Sequence, residues 1–501
     1  MSMELRIDER RILHKVDEMI YSQFIEHFGT LIYGTLFDPT HPKVDEDGFR
    51  SDVIEALKKL RIPNIRWPGG CFVSAYHWKD GVGPVREPVY NKAWCVEESN
   101  EFGTDEFMTL CKKLGCEPYL CTNAGTGTPE EMSDWVEYCN EPKLGKWAKL
   151  RIANGHPEPY KVRYWSIGNE NYTGGEIGSK TVAEWGAFVR ESAKMMRRVD
   201  PTIKLLAAAV PDVDWNLALL RTAGDLLDYI SIHGYFDPAW NTGILSSYEK
   251  SLQAADKFEQ DIIVTRGLLA ALGLDKKIKI AFDEWNLRGW YHPGIADFTD
   301  LAEDHEWAAA QREKNEINSQ YTMADAVFAA SFLNICMRHG DMVAMANFSP
   351  TVYGRGLLSA GKDGIVLRPT YHVFDLLRNT MGSDIVSSYI ADGESCDADG
   401  VVVSAVDAAA ALDEQGRLTV SLVNRHPDKA IELTLETANF YSEAELLTIN
   451  GPDKESYNDF DHPDTVRVTR RKVDVLEAIA LEPHSVNVLI CGGVSKVWMV
   501  S

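Results

Sequence analysis

Eight short stretches of the chain are rich in β-branched and aromatic residues, and many of them alternate apolar with polar positions, the pattern of β-strands. Between them lie segments in which apolar residues recur every three or four positions, as in amphipathic helices. Such alternation over about 350 residues predicts a (β/α)8 TIM barrel, an α/β fold, with a doubly wound open sheet as the alternative. The strand-like stretches are residues 21–29, 62–70, 117–125, 162–170, 203–210, 228–235, 277–285 and 341–349.

The segments between these strands carry the signals of helices. In residues 49–60, the apolar positions Val53, Ile54, Leu57 and Leu60 share one helical face. The segment 104–115 opens with a Thr cap and ends in Gly, and Pro201 ends the helix predicted before it. Helices are therefore predicted over residues 49–60, 104–115, 181–199, 319–338 and 368–379.

After about residue 380 the pattern changes to short strands separated by Asp, Gly, Asn and Pro, which predicts an antiparallel, jelly-roll-like β-sandwich. The opening residues 3–8 alternate in the same way and could join that sheet, whereas the Ala-rich segment 405–416 predicts no more than a hairpin turn. The predicted domains are an N-terminal strand in the sandwich, the barrel and the sandwich itself, with bounds 1–15, 16–380 and 381–501. The sandwich strands are predicted at 401–406, 417–424, 430–436, 443–449, 466–474 and 485–491.

Composition narrows the classes of partner. The 501 residues are 45% hydrophobic, which is ample for a packed core, and the formal net charge is −24. That charge disfavours nucleic acid and anionic membranes as partners, because both call for basic patches. No stretch approaches the roughly 18 uninterrupted apolar residues of a membrane helix, and the first residues lack the apolar core of a secretory signal. A cytoplasmic location is expected.

Cysteine usage agrees with that location. The nine cysteines are scattered without a paired C-x-x-C motif, so free thiols in a reducing compartment are expected, and no metal or other cofactor is predicted.

Two of the predicted strands end in a carboxylate, Glu170 in YWSIGNEN and Glu284 in AFDEWN. The carboxyl ends of barrel strands meet at one face, where active sites of this fold lie. Cleavage of a glycosidic bond needs two such carboxyl groups, one to protonate the leaving oxygen and one to attack or to activate water. Most glutamates are merely solvated, but two strand ends that each carry an aromatic and an amide neighbour favour a functional pair.

The chain resembles glycoside hydrolase family 51, the retaining α-L-arabinofuranosidases, over most of its length. The blocks RWPGG (66–70) and TGTPEE (126–131) are the most specific, whereas Gly-Asn-Glu alone would indicate only the wider clan of barrel glycosidases. The similar segments are residues 24–29, 65–84, 98–108, 126–140, 164–171, 231–235, 283–286 and 364–376.

This resemblance implies an exo-acting enzyme that releases terminal α-L-arabinofuranosyl residues from arabino- or arabinoxylo-oligosaccharides, with Glu170 as general acid/base and Glu284 as nucleophile. It also implies a homo-oligomer, commonly a hexamer. The alternatives are another retaining glycosidase of the clan, such as a β-xylosidase or endo-glucanase, or an inactive sugar-binding relative. Sugar-binding positions are implied for Glu26, Arg66, Asn169, His233 and Tyr235, and positions near the cleft for Trp94 and Trp290.

Three departures from the family pattern fall near the expected pocket. Cys71 follows PGG where many members carry Asn, and we predict that it lines the pocket. The segment 347–356 replaces a Gln-containing one, and the loop 285–294 is about two residues longer than the common form. These changes leave the carboxylate pair intact but make the preferred substrate harder to predict.

Overall fold

The structure is a computed structural model of the chain and describes residues 3–237, 244–289, 314–391 and 393–492. Its first strand, β1 (Met3–Lys15), belongs to the C-terminal sheet. Eight further strands pair in parallel and close into a barrel in the order β10–β11–β2–β3–β6–β7–β8–β9. These are β2 (Ser22–Phe24), β3 (Asn64–Trp67), β6 (Glu117–Thr122), β7 (Tyr164–Ile167), β8 (Lys204–Ala209), β9 (Tyr229–Asp237), β10 (Lys279–Arg288) and β11 (Val343–Phe348).

All eight predicted strands are present, and the predicted barrel is confirmed. The pairing of β11 with β2 closes the sheet, which excludes the open doubly wound alternative. Among the described strands, three two-stranded antiparallel sheets lie outside the barrel and the large C-terminal sheet: β4 (Val89–Asn91) with β5 (Val96–Glu98), β12 (Leu358–Ala360) with β13 (Ile365–Leu367), and β15 (Ser395–Ala398) with β16 (Val401–Ser404).

The helices begin and end where local chemistry directs. Thr181 and Glu184 form a reciprocal capping box at the start of α5, and Gly115 closes α2 in a left-handed conformation. The described α-helices are α1 (Ser51–Lys59), α2 (Thr104–Leu114), α3 (Pro129–Asn140), α4 (Gly145–Ala153), α5 (Val182–Val199), α6 (Val213–Ala223), α7 (Tyr248–Ser251), α8 (Gln253–Ala271), α9 (Met323–Arg338) and α10 (Pro369–Thr380). Short 3-10 turns cover Glu18–Tyr21, Cys71–Ala75, Trp78–Gly81, Lys314–Glu316 and Asn318–Gln320.

A layer of side chains fills the barrel interior. Tyr119, Tyr164, Leu206, Ala281 and Met345, each from a different strand, form one buried cluster. Such layers make a TIM barrel a packed core rather than a pore. The Tyr119 hydroxyl connects this layer to the site, since it donates a hydrogen bond to Asp283 at 2.7 Å.

The C-terminal region is a nine-stranded, mostly antiparallel sheet. Its order is β21–β20–β23–β18–β17–β14–β1–β19–β22, and β1 pairs in parallel with β19 and antiparallel with β14. One hydrophobic cluster joins residues of β1 and β19 to residues of β18, β20 and β23, as in a sheet folded over on itself. The remaining strands are β14 (Asp384–Ile390), β17 (Val406–Leu412), β18 (Leu418–Asn424), β19 (Ile431–Thr437), β20 (Glu443–Asn450), β21 (Arg467–Asp474), β22 (Ile479–Leu481) and β23 (Ser485–Cys491).

The prediction of a mere hairpin turn at 405–416 is wrong, because β17 lies within it and pairs with β18 over its whole length. Alanine has low strand propensity, but Ala409, Ala410 and Ala411 are buried. Their small size suits this strand because helix α9 packs against it and contacts the barrel strands β10 and β11 as well. Tertiary packing overrides local preference here.

Candidate active site

The two glutamates singled out from the sequence meet at the carboxyl end of the barrel. A carboxylate oxygen of Glu170, one of Glu284 and a ring nitrogen of His233 all lie within 4.8 Å of one another. Glu170 follows β7, and Glu284 and His233 belong to the neighbouring strands β10 and β9. Three separate strand ends therefore deliver one cluster of titratable groups.

An irregularity in β10 brings two consecutive acidic side chains to the same region. The pairing with β9 shifts between Ala281 and Glu284, and the pairing with β11 shifts between Phe282 and Trp285. Successive residues of a regular strand face opposite sides, whereas a bulge changes the alternation. Asp283 and Glu284 can therefore both approach the guanidinium of Arg66.

Arg66 is fully buried on β3 and organises the floor of this cluster. Its Nη1 donates to Glu284 Oε1 at 2.6 Å, its Nη2 donates to Asn169 Oδ1 at 2.9 Å, and its Nε lies 3.2 Å from Asp283 Oδ2. A buried guanidinium needs such compensation, and its planar fork fixes the groups that it binds. Arg66 thus positions Glu284 and Asn169 together.

Glu284 is held from both of its oxygens. Besides the Arg66 contact to Oε1, the Tyr235 hydroxyl donates to Oε2 at 2.8 Å. Tyr235 is also hydrogen-bonded at 2.8 Å to Ser349. Two charge-assisted donors on one carboxylate restrict its rotation and fix the position of both oxygens.

Glu170 is paired with His233 rather than standing alone. His233 Nδ1 lies 2.7 Å from Glu170 Oε1. Burial raises the pKa of Glu170, yet the hydrogen bond and positive charge of His233 outweigh burial and hold the pKa below its usual value. Burial lowers the pKa of His233, but the charges of Glu284, Asp283 and Glu170 outweigh it and raise the pKa to about 10. At neutral pH the pair holds one proton, chiefly on the imidazole.

Glu170 also has unusual backbone geometry, with φ of 46°, in the left-handed region that disfavours residues with a side chain. Gly168, two residues earlier, has φ of 72°. Strained backbone of this kind clusters at functional sites, because the surrounding structure must hold it in place.

Asp283 belongs to this cluster, although the sequence analysis assigned it no role. It is fully buried, accepts hydrogen bonds from Ser231 and Tyr119, and lies 3.4 Å from His233 Nε2. Burial raises the pKa of Asp283, but Arg66 and His233 hold it well below its usual range. The permanent charge of Asp283 helps to keep His233 protonated. Two adjacent acids at a strand end were the available signal, but only the bulge brings both inward.

Glu26 lies on the other side of the RWPGG turn. Its Oε1 accepts from the Trp94 indole at 2.9 Å and from the Phe72 amide at 3.0 Å. Burial, with the charge of Glu284, raises the pKa of Glu26 to about 8. Glu26 therefore lies beside Glu284, and the Trp94 indole is bonded to Glu26.

The two glycines of RWPGG allow this close packing. An added Cβ at Gly69 would lie 2.4 Å from Glu26 Cγ, and one at Gly70 would lie 3.0 Å from Glu284 Oε1. Gly69 also has φ of 129°, which side-chain-bearing residues rarely adopt. The motif is glycine-rich because the chain passes directly against two carboxyl groups.

Asn169 provides a donor that the described residues leave unused. Its Oδ1 is engaged by Arg66, whereas its buried Nδ2 has no hydrogen-bond partner in the described part of the chain. A buried amide donor without a partner costs free energy, so this atom is suited to a ligand oxygen.

Cys71 lies close to Glu170 and to Glu176, a residue that the sequence analysis missed. Oxygens of Glu170 and Glu176 and the sulfur of Cys71 lie within 4.8 Å of one another, and the Ser74 hydroxyl donates to Glu176 at 2.5 Å. Glu176 is buried and follows β7 in the chain, but no motif in the sequence distinguished it from solvated glutamates.

The segment 347–356 contributes through Ser349 and Arg355. Ser349 bonds Tyr235, and the Arg355 guanidinium lies 4.5 Å from the centre of the Tyr235 ring. Asn347 instead serves the barrel, donating to the Gln23 carbonyl and to Asn64. Trp290 and the rest of the lengthened loop after residue 289 lie outside the described residues.

Among the described residues, two sets are close enough in space to be considered for a metal ion: Cys71 with Glu170 and Glu176, and Glu170 with His233 and Glu284. Both share Glu170, and a protonated imidazole cannot donate a lone pair to a metal. We therefore interpret Glu170, His233 and Glu284 as acid–base groups rather than as metal ligands.

Two findings concern the molecule outside the site. All nine cysteines lie in the described ranges as free thiols. None of the described helices has the length and apolar character needed to span a membrane.

The chain is similar to known proteins along nearly its whole length. Residues 56–253 match the family model described as "Alpha-L-arabinofuranosidase 1 domain", and residues 283–485 match "Alpha-L-arabinofuranosidase C-terminal domain". Together these matches cover most of the barrel and most of the C-terminal sheet.

Individual relatives agree. The chain is 34% identical to the "Probable alpha-L-arabinofuranosidase C" of Aspergillus clavatus, over 97% of this chain and 96% of that protein. It is 34% identical to the "Intracellular exo-alpha-(1->5)-L-arabinofuranosidase 1" of Bacillus subtilis, over 92% of each. The solved GH51 α-L-arabinofuranosidase of Thermotoga petrophila superposes with a TM-score of 0.83 at 33% identity, covering 98% of this chain and 100% of that one.

Proposed function

The chain belongs to glycoside hydrolase family 51, the α-L-arabinofuranosidases, and we propose that it removes terminal α-L-arabinofuranosyl residues with net retention of configuration, using Glu284 as nucleophile and Glu170 as acid/base. The observation that carries the proposal is the distance between the two carboxyl groups, whose oxygens lie within 4.8 Å. Retaining enzymes need a separation of about 5–5.5 Å, whereas inverting enzymes need roughly 6.5–9.5 Å to accommodate water.

The hydrogen bonds support the division of roles. Glu284, with Arg66 on one oxygen and Tyr235 on the other, is held as a carboxylate ready to attack the anomeric carbon. Glu170 shares the proton of the Glu170–His233 pair and can deliver it to the leaving oxygen. Once Glu284 becomes an ester, its negative charge is gone, and Glu170 takes a proton from the water that hydrolyses the intermediate.

The sugar would occupy the space above Arg66, bounded by the carboxylate pair and Glu26. The unused Nδ2 of Asn169 would donate to the 2-hydroxyl group, a contact that strengthens as positive charge develops on the ring. Glu26, whose pKa is raised to about 8, can serve as donor or acceptor for a further hydroxyl. Cys71 and Trp94 would line the edge of the pocket, and Trp290, predicted near the cleft as well, lies outside the described residues.

As substrates we propose short arabino-oligosaccharides, because the relative from Bacillus subtilis is named for α-(1→5)-linked arabinofuranosyl units and for an intracellular location. The same name, with nine free cysteines, supports our proposal that this chain acts in the cytoplasm. Arabinoxylan fragments and a homo-oligomeric assembly, a hexamer by family resemblance, are also proposals.

The test is hydrolysis of a panel of 4-nitrophenyl glycosides, with proton NMR of the sugar formed first. We expect the α-L-arabinofuranoside to be the best substrate, the α-anomer to appear first, and EDTA to leave the rate unchanged. A β-xyloside as the best substrate would favour the clan alternative, and an inverted first product would remove Glu284 from its role. Binding without turnover would indicate an inactive sugar-binding relative.

A further inference from the structure

A third carboxyl group lies beside the acid/base, and the double displacement does not use it. Glu176 is buried, and one of its oxygens lies within 4.8 Å of both a Glu170 oxygen and the Cys71 sulfur. Burying a carboxyl group against another acid is costly. A purely structural role would be filled more cheaply by glutamine.

The surroundings hold this carboxyl group in place. Ser74 donates to Glu176 Oε1 at 2.5 Å, and the Cys71 thiol is also hydrogen-bonded to the carboxyl group. Both donors belong to the turn Cys71–Ala75 that follows RWPGG. The turn that passes the nucleophile therefore also fixes Glu176 at the acid/base.

The charges around Glu170 form an unequal set. His233 on β9 and Arg66 on β3 favour its ionised form, whereas Asp283 disfavours it. Glu176 in turn is affected by Glu170 and Glu284, and burial with the Glu170 charge raises the pKa of Glu176 to about 7. Without a further negative neighbour, the shared proton would stay on His233, where it cannot reach a glycosidic oxygen.

We propose that Glu176 is a positioning residue of the acid/base: held by Ser74 and Cys71 beside Glu170, its carboxylate shifts the shared proton of the Glu170–His233 pair from the imidazole toward Glu170. This inference rests on the proposed role of Glu170. The proton moves along the 2.7 Å hydrogen bond from His233 Nδ1 to Glu170 Oε1, leaving a neutral imidazole and a neutral carboxyl group, so no charge is created.

The decisive experiment compares two substrates in Glu176→Gln, which keeps the shape of the side chain and removes its charge. The dinitrophenolate of a 2,4-dinitrophenyl arabinofuranoside departs without a proton, whereas the leaving sugar of an α-(1→5)-linked arabinobiose needs one. We expect kcat/KM for the disaccharide to fall about tenfold and for the aryl substrate to change less than about twofold, because only the protonated fraction of Glu170 is altered. The basic limb of the disaccharide profile should also move to lower pH.

Ser74→Ala provides a second variant, since it weakens the hold on Glu176 without touching its charge, and it should give the same substrate split to a smaller extent. Glu9→Gln is the matched control, because Glu9 is an equally buried glutamate in the C-terminal sheet, and both of its rates should stay at wild-type values.

An equal fall for both substrates in Glu176→Gln would overturn the proposal in favour of a structural role, and no change in either would also overturn it. Glu170→Ala in the same assay separates this failure from failure of the proposed function. In that variant kcat/KM must fall strongly for the disaccharide and be largely retained for the dinitrophenyl substrate. Any other pattern would mean that Glu170 is not the acid.

Discussion

Each of the two carboxyl groups that we propose to be catalytic has its own hydrogen-bonding partners. Glu284 has an arginine and a tyrosine as donors, whereas Glu170 has a histidine whose pKa is raised to about 10. Two glutamates with different partners can perform two different tasks at one pH. The partners are therefore the natural targets of single substitutions.

The two glutamates should respond differently to replacement. Glu170→Ala removes the proton donor and the later base but leaves the nucleophile, so a 4-nitrophenyl substrate should still form the glycosyl-enzyme. Added azide should then restore turnover and yield the α-arabinofuranosyl azide, because azide needs no general base. Glu284→Ala should abolish turnover without rescue to a retained product. Azide rescue of Glu284→Ala to the α-azide would mean that the roles are exchanged.

The Glu170–His233 pair should set the basic limb of the pH profile. The Glu170–His233 pair keeps its shared proton until the pH passes the raised pKa of His233. With glutamine at position 233, Glu170 alone must hold that proton. His233→Gln should therefore move the basic limb of kcat/KM down by more than about one pH unit. The matched control is Tyr235→Phe, which loses its bond to Glu284 and should lower the rate without moving the limb. An unmoved limb in His233→Gln would separate the histidine from the acid.

A methyl group at Gly70 should displace Glu284, the proposed nucleophile. Its Cβ would lie 3.0 Å from Glu284 Oε1, so the carboxylate must shift by a few tenths of an ångström or turn away. Gly70→Ala should lower kcat/KM about tenfold or more, because misplacing a reacting group is costly. Gly267→Ala in α8 is the control, since nothing lies within 4 Å of the added atom. The control should keep full activity and raise the unfolding temperature slightly. Wild-type kinetics in Gly70→Ala would show that the turn can accommodate a methyl group without displacing Glu284.

At the scale of elements, periodicity predicted the barrel because its strands are short, apolar and well separated. All eight lie within a few residues of their predicted bounds. The element missed was β17, whose alanines lack strand propensity and become a strand only through packing. Glu170 and Glu284 could be predicted in the same way, because both lie at strand ends. Asp283 and Glu176 join them through contacts with β3, β9 and the turn Cys71–Ala75, and the local sequence does not reveal such contacts.

Helix α9 connects the two halves of the molecule through an aromatic cluster. Phe332 is fully buried and stacks on Trp285, the residue after Glu284, with ring centres 4.1 Å apart. Phe332→Ala should lower the free energy of unfolding by about 3–5 kcal/mol, from lost burial and the cavity left behind. Val264→Ala, on the exposed side of α8, should cost less than about 1 kcal/mol. Denaturant unfolding measures both, and a small loss in Phe332→Ala would show that the cluster can collapse.

At the scale of the whole molecule, we propose the division into an N-terminal strand (1–15), a barrel (16–380) and a sheet domain (381–501). Strand β1 lies seventh of nine in the sheet and connects β14 to β19. Leu5→Asp should strongly lower the unfolding temperature, because Leu5 is buried in the sheet core and a charge there has no partner. Ile12→Asp, on the same strand but exposed, should be neutral. Equal effects of the two variants would contradict a structural role for β1 in the sheet domain.

The place of β1 also has a consequence for synthesis. This strand is translated before the barrel, whereas its neighbours β14 and β19 are translated after the barrel. At about 5–20 residues per second, it waits on the order of tens of seconds while the whole barrel is translated. During that time the apolar side chains of Met3, Leu5 and Ile7 have no partner strands to pair with. The alternating charged residues Glu4, Arg6 and Asp8 should then disfavour pairing with other nascent chains.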